Sequence, residues 1–98
     1  MYETETNMFK ILSDPTRIQL LRLLIEGETC GCTLIDKVAV SQPTLSYHLN
    51  LLAKYGLATK SVEGNKHNYH VDKDAIRHLQ AFLQELLDST PSTCEVTP

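Results

Sequence analysis

Cys30 and Cys32, with only Gly31 between them, are the side chains with the most chemistry to offer. Two thiols that close together can hold a soft ion as thiolates, react with an oxidant, or simply pack as small apolar groups. A third cysteine, Cys94, stands apart near the end of the sequence. Of the histidines, His78 shares the last stretch with Asp72, Asp74 and Glu85. Those make a poor zinc set even beside His67 and His70, and read better as solvated helix residues. There is no Ser/His/Asp grouping, no phosphate-binding glycine loop and no pair of acids placed for burial, so the chain is not read as an enzyme and no catalytic cofactor is expected.

The charge balance narrows the partners. A formal net charge of −3 argues against a generic polyanion binder. The distribution is uneven, however. Both ends are acidic, while residues 41–70 hold Lys54, Lys60 and Lys66 against Glu63 alone, with His48, His67 and His70 among them. Any contact with phosphate belongs to this central third.

A chain of 98 residues with 42% hydrophobic composition supports one small core, whose margin over chain entropy is thin, so self-association is expected to add burial. No apolar run is long enough to span a bilayer, and Met1 to Glu5 lacks the basic and apolar segments of a signal peptide. A cytoplasmic location with no membrane partner is expected. In a reducing cytosol a disulfide framework is not expected, and thiolate chemistry becomes the question.

The elements that must position these residues follow from periodicity and caps. Residues 3–12 read as a helix with Met8, Phe9, Ile11 and Leu12 on its apolar side. Ser13-Asp14-Pro15 ends it and starts a second helix, with Ile18, Leu21, Leu24 and Ile25 as the stripe and Gly27 as the stop. A short third helix is expected over roughly Cys32 to Val38. Ser41 caps a fourth from Gln42 to Lys54, with Leu45, Leu49 and Leu52 inward and Gly56 as its close. Alternation then replaces the helical period from Leu57, and Glu63-Gly64-Asn65-Lys66 is a hairpin turn in which Gly and Asn accept positive φ. Asp72 or Asp74 starts a last helix whose stripe runs through Ile76, Leu79, Phe82, Leu83, Leu86 and Leu87. Residues 1–88 are expected to form one domain, and residues 89–98 a flexible tail.

The fold class is therefore mainly α with a small β-hairpin, in the order of a winged helix-turn-helix, where the capped helix enters the major groove of double-stranded DNA and the hairpin tip reaches the backbone. Gln42, Thr44, Ser46 and Tyr47 lie on the outward side of that helix, and Lys54, Lys60, Asn65 and Lys66 flank them. A winged-helix interaction module that no longer binds DNA is the alternative that the negative net charge allows.

Three ordered segments, Lys10 to Arg17, Ser41 to Leu49 and Gly64 to Tyr69, resemble those of the ArsR/SmtB family. Cys30-Gly31-Cys32 ahead of the capped helix resembles its arsenic-responsive repressors in particular. The resemblance spans about Phe9 to Leu87. It implies a homodimer built through the first and last helices, an inverted-repeat operator, and repression relieved by an inducer. It places His48 with Gln42, Thr44 and Ser46 in the recognition helix, and Gly64-Asn65-Lys66 at the wing tip. The dimer residues it implies are Phe9 and Leu12, then Ile76, Leu79, Phe82, Leu83 and Leu86.

Trivalent arsenic and antimony are thiophilic and commonly take three thiolates, so arsenite or antimonite is the expected inducer at Cys30 and Cys32. On a regular helix the two would point about 200° apart. Convergence on one ion would then require local unwinding, which would couple binding to displacement of the neighbouring helix. Arsenic-responsive relatives often carry a third cysteine three positions after the second, where this chain has Ile35. Cys94 serves if the tail folds back, from the same or the partner subunit; a small thiol or solvent completes the site otherwise. The competing functions are sensing of a divalent ion (cadmium, lead or zinc) and thiol redox sensing, the latter disfavoured by the acids Glu26, Glu28 and Asp36 nearby.

Overall fold

Five helices and one hairpin follow one another along the computed structural model, which describes residues 1–90. Helix α1 (Glu3–Leu12) carries Glu3 and Glu5 in its first turn, where the exposed amides favour negative charge, and buries Met8 and Ile11. Helix α2 (Pro15–Ile25) starts at Asp14, whose carboxylate accepts from the backbone N–H groups of Thr16 and Arg17 at 2.8 and 3.1 Å. It ends in a Schellman turn, with Gly27 at φ 105° and Glu28 N–H donating to the Leu23 carbonyl at 3.0 Å.

The expected stripe on α2 is rotated. Leu20, Leu21 and Leu24 are the buried residues, whereas Ile18 and Ile25 are 47% and 49% exposed. This helix is apolar at too many positions for periodicity to choose a face, and packing against the rest of the molecule chooses instead. Helix α3 (Gly31–Leu34) is shorter than expected. Its first turn begins at Cys30, and tighter turns from Thr33 to Lys37 carry the chain on, with Leu34 and Val38 buried.

Helix α4 (Gln42–Lys54) has the expected bounds. Ser41 Oγ accepts from Thr44 N–H at 3.4 Å, Pro43 sits in the first turn, and Gly56 at φ 82° closes a second Schellman turn through Leu57 N–H to the Leu52 carbonyl. Strands β1 (Ala58–Glu63) and β2 (Lys66–Val71) pair antiparallel from Ala58 opposite Val71 to Glu63 opposite Lys66. Only Gly64 has positive φ, 61°, while Asn65 does not, the sign pattern of a type II′ turn rather than the all-positive I′.

Helix α5 (Lys73–Asp88) is capped by Asp72, which accepts from Ala75 N–H at 3.1 Å. It lies along α1, with Phe82 against Tyr2 and Phe9 at ring-centroid distances of 5.5 and 6.1 Å and His78 Nε2 at 2.6 Å from Glu5. The core centres on Leu20, Leu34, Leu45, Leu49, Leu52 and Leu57, all essentially inaccessible. Leu79, expected at a dimer interface, is instead in this core at 5% exposed, and Leu12 and Ile76 pack against it half-buried. They sit on the side of their helices that faces their own subunit. On α5 the apolar groups left outward are Leu83, Leu86 and Leu87, with Tyr2 and Phe9 of the N-terminal segment at their border.

Asp14 gives a stability prediction. The backbone N–H of Arg17 first, then the Arg17 charge and Thr16 N–H, hold its carboxyl below the usual aspartate value. Its contribution is therefore present above the unfolded-state pKa and is lost as pH falls through the lower folded value. Asp14→Ala should cost about 1 kcal/mol at neutral pH, whereas Asp14→Asn should keep most of the cap and flatten the acid limb of the stability profile, both read by denaturant unfolding between neutral and acid pH.

Candidate nucleic-acid interface and cysteine pair

The buried side of α4 decides what its other side shows. With Leu45, Leu49 and Leu52 in the core, Gln42, Thr44, Tyr47 and Asn50 are exposed and Ser46 is half-buried. Gln42, Ser46 and Asn50, one helical turn apart in succession, line a groove of about 590 Å³. Its opposite wall is the hairpin, which contributes Lys60, Asn65, Lys66 and His67. Thr44 and Tyr47 stand on the flank of α4 outside this groove, Tyr47 at 60% exposed. Lys54 is at the far end of α4 with its Nζ 5.5 Å from the Tyr55 ring, and the structure does not bring it to the groove.

His48 does not belong with the outward groups. It is 8% exposed and faces inward, with Nδ1 3.0 Å from the Arg17 guanidinium. Its place in the helix, between Leu45 and Leu52 on the buried stripe, accounts for this. Two residues that matter here escaped the sequence reading. Tyr69, buried on β2, donates its hydroxyl to Asn50 Oδ1 at 3.2 Å and so ties the wing to α4, while Lys60 Nζ lies 5.8 Å from the same ring. The regular four-residue steps from Gln42 through Ser46 were a readable signal for Asn50; nothing local pointed to Tyr69.

The cysteines open onto the same groove. Cys30 precedes α3 with extended backbone (φ −85°, ψ 132°), so the helical separation anticipated for the pair does not apply. The two α-carbons are 5.1 Å apart, Cys32 N–H donates to Cys30 Sγ at 3.2 Å, and the two sulfurs are joined as a disulfide. The expectation of unpaired thiols is corrected to this extent: the link is local, between residues two apart, and not a framework. No unwinding is needed for the sulfurs to meet.

The segment leading into the pair is bound to the wing. Thr29 C=O accepts from Tyr69 N–H at 2.9 Å, and Cys30 pairs with Asn68 in an isolated antiparallel bridge. Cys30, β2 and, through the Tyr69 hydroxyl, α4 thus form one hydrogen-bonded sequence of contacts. Reduced to thiolates, Cys30 and Cys32 would supply two soft donors at the groove's edge. Among the described residues no group of three potential metal ligands is found, and Ile35 packs half-buried against the core. Cys94 lies outside the described residues. On α5, Asp72 is engaged as a cap, Asp74 pairs with Arg77 at 2.9 Å and His78 pairs with Glu5. No helix among the described residues is long and apolar enough to cross a membrane.

Known proteins are similar to this chain in sequence and fold. The family model described as "Bacterial regulatory protein, arsR family" matches residues 14–60. An arsenical resistance operon repressor of Staphylococcus xylosus is 34% identical over 93 residues, covering 95% of this chain and 88% of its own. A cadmium resistance transcriptional regulatory protein CadC homolog of Staphylococcus aureus is 37% identical, covering 80% of this chain and 67% of its own. Among solved structures, an ArsR-like transcriptional regulator from Rhodococcus sp. RHA1 superposes with a TM-score of 0.78 at 25% identity, covering 87% of this chain and 80% of that one. A homodimeric winged helix-turn-helix DNA-binding domain from Mycobacterium bovis does so with a TM-score of 0.71 at 24% identity, covering 98% and 89%. With α2, α4 and the start of the wing inside the matched region, and a relative aligned along most of its length, the chain belongs to the ArsR family of bacterial regulatory proteins and is a winged helix-turn-helix transcriptional regulator, not an enzyme.

Proposed function

We propose that the protein is a cytoplasmic homodimeric repressor that holds an inverted-repeat operator through α4 and the wing, and releases it when trivalent arsenic or antimony is taken by Cys30 and Cys32. The observation that carries this reading is that the cysteine pair and the DNA-facing groups of α4 and the wing line one groove. Gln42 and Ser46 in the groove, with Thr44 and Tyr47 on the flank of α4 beside it, meet base edges or phosphates, and Lys60, Asn65 and Lys66 meet the flanking backbone. The pair must first be reduced by two equivalents of a cytosolic small thiol such as glutathione, which leave as their own disulfide while each cysteine sulfur gains one electron and one proton. Bound at the thiolates, the metalloid supplies soft Lewis acidity and nothing catalytic.

Release then works through the chain's own bonds. A shift of Cys30 strains the Thr29–Tyr69 and Cys30–Asn68 pairing and, through Tyr69, the hydroxyl bond to Asn50 on α4. The third donor is Cys94, a small thiol or solvent. Dimerisation rests on the outward apolar groups Leu83, Leu86 and Leu87 of α5, which a lone subunit leaves in water at 48%, 54% and 79% exposed.

A thiol redox sensor is the second reading, favoured by the joined sulfurs of Cys30 and Cys32. The name of the cadmium-related relative supports a third inducer class, a divalent soft ion.

Three outcomes are expected. On a labelled duplex from the region upstream of its own gene, under reducing conditions, arsenite and antimonite should lower fluorescence anisotropy in titration while zinc and cadmium do not. Cys30→Ser with Cys32→Ser should keep operator affinity and lose that response. Release by peroxide alone would instead select the redox reading, and release by cadmium the divalent one. Lys60→Ala and Lys66→Ala should each lower the slope of log affinity against log salt by about 2 for a dimer, two phosphate contacts being lost per substitution. Leu83→Glu with Leu86→Glu should sediment as a monomer at micromolar concentration; a dimer would overturn the assigned interface.

A further inference from the structure

His48 is buried, 8% exposed, on a helix whose polar groups at Gln42, Thr44 and Asn50 face solvent. Burying an imidazole without a partner is costly, and its partner here is specific: Arg17 Nη1, 3.0 Å from Nδ1. A guanidinium only donates, so Nδ1 is the acceptor in this bond. Arg17 is itself pinned. Its Nε donates to the Ile11 carbonyl at 2.6 Å, at the last turn of α1, and its backbone N–H is bound by the Asp14 cap of α2. The end of α1, the start of α2 and the middle of α4 therefore meet at one guanidinium, across 31 residues of sequence between Arg17 and His48.

The structure assigns Arg17 and His48 the role of positioning residues that set the rotation of α4 about its own axis, and with it the angle at which Gln42, Thr44 and Ser46 meet DNA. The leucine stripe cannot do this alone. Burial of Leu45, Leu49 and Leu52 is non-directional and tolerates a small rotation. A hydrogen bond between two planar groups, one of them anchored at a second atom, is directional and does not. The adjacent Tyr47 ring, exposed, lies 5.4 Å from the His48 ring. Neither residue of the pair is required to touch DNA.

The inference rests on α4 being the DNA-reading helix, and the test separates the two ideas. Affinity is measured for the duplex from upstream of the protein's own gene and for an unrelated duplex of equal length, using the full chain. His48→Asn, which keeps an acceptor oxygen near the place of Nδ1, should stay within about threefold of wild type on the operator. His48→Leu and Arg17→Lys should lose about tenfold or more on the operator and less than about twofold on the unrelated duplex, because misaligned base contacts reduce specific binding while phosphate attraction persists. A lysine offers a single point donor in place of the planar fork whose Nε and Nη1 reach the Ile11 carbonyl and His48 separately, so it does not fix their relative direction. Equal losses on both duplexes, no loss in either variant, or His48→Asn as poor as His48→Leu would overturn the proposal. If His48→Leu fails to fold, Arg17→Lys against His48→Asn decides it. A wild type that prefers neither duplex would instead overturn the DNA-reading role of α4.

Discussion

Leu45, Leu49 and Leu52 fill the centre of the core with Leu20, Leu34 and Leu57, and once they are buried the opposite side of α4 has one direction left to face. So small a molecule has no second core to fall back on, which makes this stripe the condition for the rest. Helices α2 and α3 are held against it, the hairpin closes over it through Leu57 and Tyr69, and Leu79 brings α5 in at the edge. The polar face of α4 is thus a consequence of apolar packing, which decides the side it faces and leaves its exact rotation to directional bonds.

Backbone pairing does the second part of the work. The strand-like bond between Thr29 and Tyr69 sets the cysteines beside the wing rather than elsewhere on the surface. It also reconciles an acidic chain with an anionic partner. Lys60 and Lys66 are brought to the groove by the hairpin, while the acids of α1 and α5 lie on the other elements. Field strength at a duplex depends on this local arrangement and not on the formal sum.

The parts of the fold written in local chemistry were legible. Asp14 and Ser41 announce helix starts because their side chains satisfy amides that would otherwise lack partners, and Gly27, Gly56 and Gly64 occupy positive-φ positions. The phase of α2 was not legible, because six of its eleven residues are isoleucine or leucine and only tertiary contacts select a face. The partner of His48 was not legible for a related reason: its place on the buried stripe turns it inward, but the Arg17 guanidinium that it meets there is distant in sequence. The cysteine geometry turned on whether Cys30 stands inside or just before α3, a one-residue boundary that periodicity does not resolve. Gln42, Ser46 and the wing lysines needed only α4 and the hairpin, and both were well marked.

The separation of Cys30 from Cys32 by a single residue has a thermodynamic corollary. A covalent cross-link stabilises a fold chiefly by restricting the unfolded chain, and that restriction grows with the length of chain enclosed. Here almost no chain is enclosed. Making or breaking the link therefore shifts global stability by about 1–2 kcal/mol, well below what a cross-link closing a long loop would contribute, so that exchange between the two cysteine states is felt at the groove more than in the core.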